Sequence, residues 1–571
     1  MTTIFDGQIL TTPTTVARVD DTAQANVGVR SGNTVVILGS STAGRPQTPL
    51  AFSSPPEARR VLRSGELLTA VERAFQPSPD TGGPLRVIAM RVDPATQSML
   101  TLNDSTAAPA LTLLSSDYGA DTNRVKIRIE AGSVSGLRPT IGFDRAIYTR
   151  DNVARRAFMI RYTGAAASAV MTINGSTVTL AAPTGTTVAT IDLASYTTVG
   201  ALVDRISGTP GFVATVLDNN TARPTVNALD FVTAVDVRTA DYIARADLQA
   251  LIDYINSAAE GLVDAVRAPN AGRPPALLPF TFLTGGSNGA ITNDSWATAL
   301  EVLQAVDVQW VVPLSPLPAV HAMVDAHVQF MSSAGRKERR AIVGGEAGET
   351  MPTAISNAAL LNSDRTSYCY PGYFDFDSAG QLQLYPGYMS AALVGGMAAG
   401  VAPGTPLTNK AISVRGLEVA VRNPTDTDAL IDGGVLCLED AGTSFRVVAS
   451  VTTWTQSDNF NRVELSTGAA TDFMVRAVRT GLDALRGQRG NPQTLARARQ
   501  ITDSVLRDLA VPEPNGPGVI VGDADNPAYR NIVVSLEGDR LSVTFEASPV
   551  IPVNYVTINI FATPYSATIA G

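Results

Sequence analysis

Hydrophobic positions recur along this chain with two periods, and the switches between them divide it into blocks. Residues 34–39 are almost continuously apolar, 56–74 repeat at helical spacing, and 85–92 are apolar again, which predicts a strand–helix–strand unit. From about 101 to 278 the texture changes to short, alternating, threonine-rich segments at 125–130, 157–162, 170–173 and 177–180. Asn174-Gly175 between the last two is a strong hairpin turn signal. A helix over 199–206, a strand over 212–216 and a long helix over 246–266 follow. Asp294 or Ser295 then caps a helix at 296–304, and 308–312 reads as a buried strand. A helix at 320–332 and a strand at 339–343 complete a cycle of strand and helix that predicts a mostly parallel sheet.

The last third has its own pattern. Val475, Val478, Leu482 and Leu485 space a helix over 473–486, and Gly490 stops it. Asn491-Pro492 is an N-cap with a first-turn proline, opening a second helix whose one face carries Leu495, Ala498, Ile501, Val505 and Leu509. A hairpin is expected from 531–536 and 541–546, turning at Glu537-Gly538-Asp539. Pro549 and Pro552 then stiffen a linker by removing two backbone donors. Beyond them, 553–561 is strand-forming and two-sided, with Val556, Ile558 and Ile560 pointing one way and Tyr555, Thr557 and Phe561 the other. A terminal strand on a stiff linker can pair with another molecule or tuck into its own sheet, and the pattern alone leaves both readings open.

Composition narrows the function classes. At 571 residues the chain exceeds one domain. Charged residues are only 17% of it, against the usual quarter or so, which suits a surface consumed by contacts with copies of itself. A net charge of −9 argues against general nucleic-acid binding, which needs excess Lys and Arg. Two cysteines, Cys369 and Cys437, imply no disulfide framework. The first residues lack a basic, then apolar, leader, and the most apolar stretch, 388–402, is short and glycine-rich for a bilayer span. The expectation is a soluble, cytoplasmically made protein with no membrane contact.

Candidate chemistry is sparse. The turn from Gly39 to Pro46 has the glycines of a phosphate loop, but Arg45-Pro46 stands where Lys and Ser or Thr are needed. His321 and His327, the only histidines, lie about 240° apart around one helix and share no face for a metal. Asp375-Phe376-Asp377-Ser378-Ala379-Gly380 starts like a calcium loop, yet Ala379 and Pro386 fall at ligand positions, so a β-turn is the sounder reading. No cofactor, metal or catalytic residue is expected. Residues 473–509 carry Arg476, Arg479, Arg486, Arg489, Arg497, Arg499 and Arg507, either a solvated face or a contact with an acidic partner.

Several motifs carry a family resemblance. Asn423-Pro424, Gly434-Val435, Val451-Thr452-Thr453, the two-helix segment and Pro552-Val553-Asn554-Tyr555-Val556 resemble the C-terminal domain of contractile bacteriophage tail sheath proteins. Asp117-Tyr118-Gly119 with Asn123, the Leu-Thr-Gly-Gly-x-x-Gly run at 283–289, Arg336-Lys337-Glu338-Arg339-Arg340 and Pro406-Leu407-Thr408-Asn409-Lys410 resemble the rest of that family. The resemblance implies an α/β and α+β multidomain chain with a subtilisin-like central domain that lacks a catalytic triad, over 28–100 and 281–420. It implies a β-rich, sandwich-like insertion at 101–280, an α+β sheath domain at 421–548, and arms at 1–27 and 549–571. Inter-subunit strand exchange then falls on Val16 and Val19 at one end and on Tyr555, Val556, Ile558, Ile560 and Phe561 at the other. Arg476, Arg479, Arg486 and Arg489 become tube-facing candidates.

The implied function is structural: a helical stack of hexameric rings around a tail tube, bounded by baseplate and tail terminator proteins. It would be assembled in the host cytoplasm, reside in the virion, and contract to drive the tube through an envelope. The alternatives are the sheath of a tailocin or extracellular injection system and, from another class, a subtilase-like hydrolase marked by a paired His and Ser.

Overall fold

The computed structural model describes residues 3–5, 8–10 and 33–563, the first two stretches forming a short antiparallel pair. Among the described residues the largest sheet has eight strands. Their order is Phe445–Val447, Val435–Asp440, Thr366–Tyr370, Arg340–Gly344, Trp310–Pro313, Val35–Gly39, Val87–Arg91 and Pro49–Phe52. The six inner strands run parallel and only the two edges are antiparallel. Both faces are covered, which is why these strands read as unbroken apolar runs. Helices Glu66–Phe75 and Gly387–Gly400 pack on one face; Asn293–Leu303, Pro318–Ser333 and Met351–Leu361 pack on the other. Cys369 is in register with Leu436 on the first face, while Cys437 is in register with Tyr370 on the second. The two thiols therefore point away from each other and cannot pair.

Three sequence expectations need correcting. The helix expected at 56–74 is two, Pro55–Leu62 and Glu66–Phe75, broken where Arg63 and Gly65 take φ of 60° and 108°. The helix expected at 246–266 stops at Ala258, and Val263–Arg267 is instead a strand against Pro109–Ser115. Gly261, at φ 76°, makes the turn between them. Lastly, the boundary at 420 cuts the central sheet, because Val435–Asp440 and Phe445–Val447 belong to it.

The insertion is two nested units, each with its own core, rather than one sandwich. The proximal unit packs the sheet of Met99–Asn103, Pro109–Ser115 and Val263–Arg267 and the sheet containing Lys126–Ala131 and Leu137–Phe143 around helix Asp247–Ala258. The distal unit holds residues 156–245, including the Asn174-Gly175 hairpin between Val170–Ile173 and Thr177–Ala181. Arg91, wholly buried, roots the insertion on the central sheet. It donates to Asp93 at 2.6 Å, to the carbonyls of Gly44 and Tyr118 at 3.0 Å each, and to Asn288 Oδ1 at 3.1 Å. Asn123 exchanges two hydrogen bonds with the backbone of Gly286, at 2.8 and 2.9 Å. The motifs around 117–123 and 283–289 are thus the paired stems of the insertion.

Where the two insertion units meet, Asp230 accepts from the amides of Asp247 and Leu248 at 2.8 and 3.2 Å, capping helix Asp247–Ala258. Burial pushes its carboxyl up to about 6, with the two amides and Arg267 opposing and Asp247 adding to the rise. A carboxyl raised in this way favours folding below its unfolded value and loses that contribution as pH rises through 6. Asp230→Asn keeps an acceptor without the charge. The variant should be more stable than the parent at pH 7, by up to about 3 kcal/mol, and the difference should vanish near pH 4. Denaturant unfolding at the two pH values measures it.

Candidate assembly surfaces

His321 Nε2 meets the carbonyl of Ser315 at 2.7 Å, so that nitrogen is a donor. His327 Nε2 accepts from Arg339 at 3.0 Å, and burial plus that guanidinium push its pKa down to about 4. Ser390 is buried and donates to the carbonyl of Pro371 at 2.7 Å. Among the described residues no histidine is hydrogen-bonded to a serine hydroxyl or a carboxylate. The glycine turn after Val35–Gly39 aims the Gly44 amide at the carboxylate of Asp117, 2.8 Å away, the opposite of a phosphate cradle. Asp377 accepts from the amides of Ala379 and Gln381, each at 2.8 Å, and closes a hairpin turn.

The arginine-rich helices divide into two populations. Helix Leu465–Asp483 lies across the start of Arg340–Gly344, and its Asp472, Arg476 and Arg479 turn toward the sheet. Arg340 donates to Asp472 at 2.8 Å and Arg365 reaches the same carboxylate at 3.0 Å. Arg479 donates to Glu338 at 2.9 Å, and Arg476 reaches Asp307 and the Glu338 carbonyl at 2.8 and 2.7 Å. Arg339, beneath them, is buried against the carbonyls of Leu303 and Val306, and burial draws its pKa down to about 10. The segment 336–340 and the helix therefore form one ionic knot. Arg476 and Arg479, expected as tube-facing groups, are engaged in it by partners within the chain. Arg486 remains exposed with only Asp483, one turn away, as partner. Arg489, Arg497 and Arg499 are also exposed and form no ion pair among the described residues.

Sequence reasoning missed the acidic half of this knot, Glu338 and Asp472, and one glycine. A Cβ on Gly468 would lie 2.2 Å from Arg340 Nη2, so only glycine lets the guanidinium rest on the helix. The helix and sheet also enclose a cavity of about 520 Å³ beside Trp310, Leu407, Leu465 and Phe473. It opens at the amino ends of the parallel strands, whereas ligand sites of such sheets lie beyond the carboxyl ends.

The second surface is terminal. Hairpin Tyr529–Glu537 and Arg540–Ala547 packs one face on helix Pro492–Leu509 and, among the described residues, pairs with no third strand. Beyond the bridge at Pro549, the described residues 551–563 enter no ladder. Val553, Tyr555, Val556, Ile558, Ile560 and Phe561 are between 77% and 91% exposed. The expected strand is thus unpaired among the described residues. Val16 and Val19 lie outside the described residues.

Removing Asp472 tests the knot. Asp472→Ala strands Arg340 and Arg365 in a low-dielectric site, which should cost roughly 3–5 kcal/mol in denaturant unfolding. Arg486→Ala, at an exposed pair, should change stability by less than about 1 kcal/mol.

No protein-family model matches the chain. It is 27% identical over 579 residues to the tail sheath protein of Bacillus phage SP01, covering 97% of this chain and 96% of that protein. It is 29% identical over 582 residues to the putative tail sheath protein of Enterococcus phage phiEF24C, covering 97% and 98%. The crystal structure of a sheath tail protein from Listeria innocua shares the fold, with a TM-score of 0.54 and 12% identity, over 90% of this chain and 91% of that one. Sequence similarity to bacteriophage tail sheath proteins thus runs essentially end to end, and the fold is shared with a sheath tail protein.

Proposed function

We propose that this chain is the structural subunit of a contractile phage tail sheath, not an enzyme, and that its copies polymerise around a tail tube and shorten to drive the tube through a host envelope. One observation carries the reading beyond homology: a strongly strand-forming terminal segment projects into solvent after a hairpin that, among the described residues, has two open edges. An apolar strand in that state is satisfied by a neighbour's ladder, because edge N–H and C=O groups template strand addition. Tyr555, Val556, Ile558, Ile560 and Phe561 supply that strand, with Val16 and Val19 in the N-terminal counterpart. Helices on both faces of a parallel sheet support a subtilisin-like central domain used as a rigid body. In a stack of hexameric rings the work of contraction would come from better-packed interfaces in the shortened lattice. The tube contact falls to the arginines left unspent, Arg486 and Arg489, with Arg497 and Arg499 alongside. Assembly in the host cytoplasm, with baseplate and terminator proteins at the ends, follows from the same reading.

Two experiments test it. Deleting residues 555–571 should leave a monomer that melts within about 2 °C of the full-length monomer yet forms no cylinders by negative-stain microscopy. A large fall in melting temperature would mean the segment belongs to its own core. Separately, Arg486→Glu with Arg489→Glu should weaken decoration of purified tubes, and raised salt should mimic it, since exposed charges are screened over about 10 Å at 0.1 M salt. Undiminished decoration would return these arginines to a solvated face.

A further inference from the structure

The C-terminal segment is tied down further than its exposure suggests. Its root is an antiparallel bridge: the amide of Val521 donates to Ser548 at 2.9 Å and the amide of Val550 donates to Val519 at 3.0 Å. Thr467, in the first turn of helix Leu465–Asp483, donates to the carbonyl of Val550 at 3.2 Å. Val550 sits on Gly404, which holds φ 92° and whose missing Cβ would come within 2.7 Å of Val550 Cγ1. Three residues earlier on the same loop, the Val401 carbonyl accepts from Asn33, the first described residue after the N-terminal segment. Asn33 and Val550 are therefore both anchored on one loop.

One contact lies beyond this root. Glu464 is buried at the start of helix Leu465–Asp483, and its Oε1 accepts from the hydroxyls of Ser450 and Ser466. That leaves Oε2, which accepts from Asn554 Nδ2 at 3.4 Å. Asn554 is the last described residue whose side chain bonds the body, one residue before the exposed strand. Two serines orient the carboxyl, and the free oxygen meets the arm where it departs.

We propose that Glu464 and Asn554 form a latch that fixes the direction in which the arm leaves the free subunit, making Glu464 a positioning residue for strand exchange. The inference rests on the exchange reading given above and deepens it. A strand presented along one direction has lost part of its freedom before pairing, which lowers the entropic cost of association. Because Glu464 begins the helix that Asp472 and Arg476 clamp to the central sheet, the arm's direction is referred to the rigid body.

Spin labels on Thr557→Cys and on Ser504→Cys, both exposed, measure the arm's direction by electron–electron dipolar distances in the unassembled full chain, the two native cysteines being buried. The parent should give one narrow distance distribution. Asn554→Ala and Asn554→Asp, the latter setting carboxylate against carboxylate, should each at least double its width without moving the melting temperature. Glu464→Gln combined with Asn554→Asp should restore the narrow distribution, since Gln can accept from the serines through oxygen and donate to Asp through nitrogen. A broad distribution in the parent, an unchanged width in Asn554→Ala, or no restoration in the double variant would overturn the latch. Those outcomes are read on single subunits, so they leave the sheath assignment standing; failure to decorate tubes would count against that assignment instead.

Discussion

The bond between Asp472 and the pair Arg340 and Arg365 holds the molecule to one shape. Two guanidinium groups at the buried start of a central strand are tolerated only because a carboxylate from a helix 107 and 132 residues away reaches both. Removing charges from water costs several kcal/mol per ion, so the arrangement adds more to specificity than to net stability. In this docking helix Leu465–Asp483 satisfies Arg340, Arg365 and Glu338 together. The helix is thereby fixed to the sheet, and everything attached to the helix inherits that reference: the hairpin, the arginine-bearing turn at Arg486 and the root of the terminal arm.

Against this rigid body the terminal strand is the unfinished part. Six large apolar side chains stand in water, and burying each is worth about 1.5–3 kcal/mol. Each ladder hydrogen bond with another copy adds about 0.5–1.5 kcal/mol. Among the described residues the strand meets no ladder of its own chain, and on the proposed reading those gains are made across a subunit boundary. Pro549 and Pro552 keep the segment extended, and Thr467, Gly404 and Glu464 fix its departure. On the proposed reading, such a chain is completed by a neighbouring copy.

Much of this was legible in the sequence because the patterns are local. The hairpin at 529–547 follows strict alternation, the Asn491-Pro492 cap opens the helix where it should, and the parallel sheet follows from alternating strand and helix blocks. The two histidines, set apart around one helix, are both buried. Failures came where a local signal has two physical solutions. Residues 246–266 carry enough apolar positions for one helix, but Gly261 turns the chain and Val263 and Ala265 alternate with Asp264 and Val266, a strand pattern hidden in a helical one. Helix Gly387–Gly400 is apolar all round because it is buried all round, so it has no amphipathic period to find. Arg476 and Arg479, three apart on a helix, look like a solvent face. Their partner Glu338 lies some 140 residues upstream, and no local rule connects them.

The claim on which the account turns is that the terminal strand completes the hairpin of a different copy. Cysteine cross-linking in assembled cylinders measures this directly. Thr557→Cys would be paired with Val533→Cys on one hairpin strand or Thr544→Cys on the other, positions that face each other on the exposed side. Under oxidation the account predicts covalent ladders of dimers and higher multimers on non-reducing gels, lost when assembly is prevented. A disulfide confined to the monomer band, formed equally in unassembled protein, would contradict it.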